Sequence, residues 1–94
     1  MLIERSEIII REGQEDGFAA AMNDRGLAML ASVDGVKAVR FGRGVENPDK
    51  FILLVEWGSM DAHVAFTKGA VYAPFVALFA PFSKGGAMEH FEMD

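Results

Sequence analysis

The stretch Phe51-Ile52-Leu53-Leu54-Val55-Glu56-Trp57 limits the fold of this chain more than any other. Read as a strand, it turns Phe51, Leu53, Val55 and Trp57 to one side and Ile52 and Leu54 to the other. A strand that is apolar on both sides reads as buried on both sides. The sheet that contains it therefore needs two covers.

The rest of the chain supplies material for one. Residues 2–11, centred on Ile8-Ile9-Ile10, read as a first strand ended by Gly13. Phe18, Met22, Met29 and Val33 recur at helical spacing behind Glu15 and Asp16, whose charges favour a helix start. Gly26 weakens that helix, and marks a break or a close approach to the sheet. Asp34-Gly35 is a turn, and Val36–Arg43 alternates as a second strand. Asn47-Pro48-Asp49 is a tight turn that makes strands two and three a hairpin. Ser59 is placed to cap a helix running to about Lys68, where Gly69 stops it. A further helix covers Tyr72–Phe82, with Pro74 in its first turn. Gly85-Gly86 reads as a linker, and Ala87–Met93 as a last strand.

The order is β-α-β-β-α-β, the split βαβ of a ferredoxin-like α+β fold, taken as a single domain over 1–94. Helices in such a fold lie on one face of a four-stranded antiparallel sheet. The second face is left bare, and 51% of the residues are hydrophobic. A second copy packed sheet to sheet, as a homodimer of the dimeric α/β-barrel kind, is the expected cover.

Composition excludes several classes of function. There is no cysteine, hence no disulfide, thiolate ligand or thiol nucleophile. Net charge is −5 and no basic cluster occurs, so nucleic acid is not an expected partner. The apolar runs Phe51–Val55 and Phe75–Phe82 are too short to span a bilayer. Acid and base at Glu4 and Arg5 come too early for a signal peptide, so the chain is expected to be cytoplasmic. No phosphate-loop pattern accompanies Gly42 and Gly44.

Glu56-Trp57-Gly58-Ser59, then Asp61-Ala62-His63, Phe66, Tyr72 and Phe75, resemble the antibiotic biosynthesis monooxygenase family. Arg11-Glu12-Gly13, Phe18 and Val33-Asp34-Gly35-Val36 fit the same resemblance, which spans nearly the whole chain. It implies the dimeric α/β-barrel fold. Members differ in chemistry: some oxygenate phenolic polyketides or quinols with O₂ and neither metal nor flavin, some degrade haem, and one branch isomerises a sugar. Haem-degrading members carry Asn, Trp and His near the positions of Ser6, Phe66 and Phe75, so that activity is not implied. Polyketide-oxygenating members share Trp57, but have Asn at Leu53, Tyr at His63 and Arg near Ala77.

On this resemblance the expected function is cofactor-independent oxidation of a small phenolic or quinol-type aromatic substrate with O₂. His63 is the proton acceptor, since imidazole titrates near neutrality. Trp57 orients a flat substrate and Tyr72 donates a hydrogen bond to it. Phe66, Phe75, Phe79 and Met22 form the walls. Each also has a plain structural reading: Trp57 as a core anchor, His63 as a helix-start residue, and Phe75, Phe79 and Phe82 as core at helical spacing. His90 reads as a strand residue rather than a ligand. Two histidines far apart without a spaced carboxylate do not make a metal motif, and no metal or other cofactor is expected. Arg5, Glu7, Arg40 and Glu56 fall at strand positions, in the cavity, paired across strands or at the dimer rim. Two alternatives stand beside the oxygenase: a non-catalytic or stress-related module that binds an apolar small molecule, and a haem binder using His90 or His63.

Overall fold

In the computed structural model, which describes all of residues 1–94, β1 is Leu2–Ile10, β2 Val36–Arg43, β3 Lys50–Trp57 and β4 Ser83–Glu92. They form one antiparallel sheet in the order β2-β3-β1-β4. Helices α1 (Glu15–Ala21), α2 (Leu27–Ala31), α3 (Met60–Thr67) and α4 (Tyr72–Phe79) complete the ferredoxin-like α+β arrangement. None is long and apolar enough to cross a membrane.

The parity of β3 is as expected. Phe51, Leu53, Val55 and Trp57 are buried beneath the helices, while Ile52 and Leu54 are half-buried on the opposite face. Arg5, Glu7, Arg40 and Glu56 alternate with the inward residues of their strands, and Glu7 lies 3.5 Å from Arg5 and 3.7 Å from Lys50.

Phe18 centres the core. Fully buried, it meets Phe41, Phe51 and Phe82 edge-on, with ring centroids 5.8, 4.9 and 6.1 Å away. Such edge-to-face pairs add to the burial of apolar area.

Two expectations are corrected. The first helix breaks at Gly26, as one reading of that glycine had it, but through a π-helical turn over Met22–Gly26 that changes which residues face inward. That turn inserts a residue into the helical repeat, so the face that begins with Phe18 and Met22 continues through Gly26 to Leu30, and Met29 is only half-buried. Gly26 approaches α4 rather than the sheet: a Cβ there would stand 3.2 Å from Leu78 Cδ2 and 2.7 Å from Met22 Sδ. The second correction concerns Gly85-Gly86, which is not a linker but part of β4, opposite Ile9 and Ile8. β1 is long enough to template the extra pairs. Gly86, opposite inward Ile8, lies so close to β1 that a Cβ would run into the backbone of Glu7 and Ile8, and both glycines line the cleft described below.

Two contacts set α3 on the sheet. Gly35, at φ +89°, lies so close to α3 that a Cβ would come within 2.5 Å of Ala62 Cβ. Ser59 caps the helix, its Oγ accepting the Ala62 N–H at 3.1 Å. Ser59→Ala is expected to lower stability by about 1 kcal/mol, read as a lower midpoint in urea denaturation with unchanged slope.

Candidate active site

Three side chains from distant parts of the chain meet under α3. Glu4 is on β1, the inner strand that pairs with both β3 and β4, and faces His90 across the β1–β4 ladder. Its side chain is buried although it is an acid. A buried carboxylate needs partners, and Glu4 has two: the Trp57 indole N–H donates to Oε1 at 3.0 Å, and the Ser6 hydroxyl donates to Oε2 at 2.6 Å. His63 descends from α3, its Nε2 3.5 Å from Glu4 Oε1, and His90 Nε2 lies 3.9 Å from the same oxygen. The two imidazole rings are 4.4 Å apart, centroid to centroid. His90 Nε2 is buried and has no hydrogen-bond partner.

Burial pushes the His63 imidazole below its ordinary value of 6.5. Desolvation of the cation is the largest cause; Glu4 opposes it and His90 adds to it. Folding thus favours neutral His63. The unfolded chain binds the proton more readily, so this contribution to stability is complete above about pH 6.5 and is lost as pH falls through the folded value. The urea midpoint is expected to drop more steeply below pH 6.5 in the wild type than in His63→Asn. Equal slopes would count against a neutral buried His63.

A cleft of about 370 Å³ opens between β1, β4 and the helices. Glu4, Ser6 and His63 form its polar end; Ile8, Leu30, Leu53, Phe66, Phe75, Val76 and Phe79 give it apolar walls, and Tyr72 is half-exposed among its lining. Phe66 links the two ends, 5.7 Å from the Trp57 ring and 5.3 Å from Tyr72. The arrangement can hold a flat apolar molecule with one oxygen directed at His63.

Of the residues expected at the site, His63, Tyr72, Phe66, Phe75 and Phe79 line this cleft. Trp57 stands behind it as the donor that holds Glu4, rather than as an exposed wall. Met22 does not reach it and is packed in the core beside Gly26. Glu4 was not expected at the site, and His90 was weighed only as a haem ligand. One signal pointed to Glu4: it shares the parity of Leu2, Ile8 and Ile10, and an acid on the inward face of a strand needs a reason.

The sequence matches the family model for antibiotic biosynthesis monooxygenase over residues 1–78. No curated protein matches it. Several solved structures share the fold. A Bordetella bronchiseptica protein classed with the antibiotic biosynthesis monooxygenases superposes with a TM-score of 0.91 at 22% identity, covering 99% of this chain and 96% of its own. A Nitrosomonas europaea protein of the same description gives 0.81 at 12% identity, covering 99% and 98%. A variant of SnoaB, a cofactor-independent oxygenase from Streptomyces nogalater, gives 0.83 at 14% identity, covering 98% and 91%. At these identities the structures speak for the fold; the family match covers most of the sequence, and the chain belongs to the antibiotic biosynthesis monooxygenase family.

Proposed function

We propose that this chain is a cofactor-independent monooxygenase acting on a small phenolic or quinol-type aromatic substrate. One observation carries the reading: an aromatic-walled cleft ends at a buried imidazole, whose proton affinity burial lowers, beside a hydrogen-bonded carboxylate. Family membership and the fold shared with a cofactor-independent oxygenase agree with it.

His63 accepts a proton from the bound substrate, and Glu4 stabilises the imidazolium that forms, 3.5 Å away. Tyr72 donates a hydrogen bond to a substrate oxygen. The resulting electron-rich anion reduces O₂ itself. For a methylene activated by flanking aromatic rings, CH₂ and O₂ become C=O and H₂O; the substrate supplies every electron, and no external reductant is consumed. Apolar walls keep water from the anion. The test is O₂ consumption by metal-depleted protein against a panel of quinols and anthrone-like phenols. Turnover above autoxidation is the expected result, and autoxidation rates across the panel would reject the reading.

A second reading rests on Leu53. Where oxygenating relatives are expected to carry Asn, this chain has an apolar residue in the cleft wall. A binding module without chemistry would show ligand-dependent rises in melting temperature with no O₂ consumed.

The same proposal includes a homodimer. The outward face of the sheet carries half-buried Ile3, Ile9, Ile52 and Leu54, with Phe91 exposed beside Ile3. A second copy covers this face. Leu54→Arg, which adds a third positive charge between Arg5 and Arg40 on this face, is expected to shift the protein to a monomer in sedimentation, with the helical signal retained.

A further inference from the structure

The cluster beneath α3 has a capacity that the proposed reaction does not use. Glu4, His63 and His90 each offer a ligand atom, and these atoms all lie within 4.8 Å of one another. We propose that Glu4, His63 and His90 form a three-ligand site for a divalent first-row transition metal ion, with its remaining coordination position open to the cleft. The inference goes beyond the oxygenase reading and does not rest on it.

The geometry is close to what a metal requires. Bonds of about 2.0–2.2 Å in a tetrahedral site place ligand atoms about 3.3–3.6 Å apart. Glu4 Oε1 is 3.5 Å from His63 Nε2, already at that spacing, and 3.9 Å from His90 Nε2, which small side-chain rotations can close. His90 Nε2 is buried without a hydrogen-bond partner, which leaves that nitrogen available to a ligand.

The carboxylate is already oriented. Trp57 Nε1 and the Ser6 hydroxyl donate to its two oxygens, the kind of outer support that fixes a metal ligand. Access is through the cleft, which Glu4 and His63 both line. Two imidazoles and one carboxylate favour Zn²⁺, Co²⁺ or Fe²⁺ over Mg²⁺ and Ca²⁺, which take oxygen ligands. Three protein ligands and an open position are the pattern of a site that also takes a small molecule, such as a phenolate oxygen. Metal and proton compete for the same lone pair on His63. Metal-loaded and proton-accepting protein are therefore alternative states of one cluster.

The test uses the full, untagged chain, stripped with chelator and titrated with Co²⁺. One ion per chain is expected, with the intense visible absorption of a low-coordinate site, displaced by Zn²⁺ and not by Mg²⁺. Loss of a ligand in His63→Ala or His90→Ala is expected to weaken binding at least tenfold, and Trp57→Phe, which removes the donor to Glu4, by about 10–100-fold. Because buried substitutions can unfold a small protein, the wild type supplies an independent readout. The chain has two histidines, so ring-nitrogen NMR signals report both directly. Both are expected to shift on Zn²⁺ binding. Failure of the wild type to bind Co²⁺, or Zn²⁺ binding that leaves either imidazole unmoved, would overturn the proposal. Neither result depends on turnover, so it stands or falls apart from the oxygenase reading.

Discussion

Phe18→Ala is expected to cost about 3–5 kcal/mol, the range for removing a buried aromatic ring. The loss comes from three ring contacts at once, to Phe41, Phe51 and Phe82, and from a cavity that rigid β3 and the π-turn cannot close. A chain of this size has about 5–15 kcal/mol in total, so the variant is expected to sit near its unfolding transition at room temperature. Urea denaturation followed by tryptophan fluorescence reads this directly, because the single Trp57 is in the same core. Phe79→Ala is the control. Phe79 is half-buried and lies at the cleft wall, so it is expected to lose clearly less. Equal losses would show that the ring cluster around Phe18 is not the centre of the core.

His63→Ala is expected to lower O₂-dependent turnover by about 10²–10⁴-fold, the usual contribution of a positioned general base. Tyr72→Phe is expected to lower it by no more than about tenfold, since one neutral hydrogen bond contributes about 0.5–1.5 kcal/mol. Glu4→Gln separates positioning from charge. It keeps the shape and an acceptor for Trp57 while removing the charge that favours His63⁺. Its pH profile of turnover is expected to move to lower pH, because the base loses the one neighbour that raises its proton affinity. Unchanged kinetics in His63→Ala would move the proton acceptor elsewhere, with His90 the next residue to replace.

How much of this was legible in the sequence depends on the range of the interaction. Alternation in β3, the Ser59 cap, the Asp34-Gly35 turn and Pro74 in the first turn of α4 are local properties, and each appears in the structure where the sequence placed it. Gly26 marked the break, but Met29 was misplaced because the inserted residue of a π-turn is a tertiary accommodation: Met22–Gly26 widens where Gly26 packs against Leu78. Gly85 and Gly86 were misread because glycine is a weak strand former by itself, while β1 supplied the ladder that holds them extended.

The order of elements, the apolar parity of β3 and the absence of cysteine were determined by the sequence alone, because each depends on spacing along the chain or on composition. The meeting of Glu4, His63 and His90 was decided only by the tertiary structure. It requires the β1–β4 register to set Glu4 opposite His90, and Gly35 and Ser59 to set α3 so that His63 faces the sheet. Register between strands from opposite ends of a chain follows from the packing of a whole face, and short-range patterns do not carry that information.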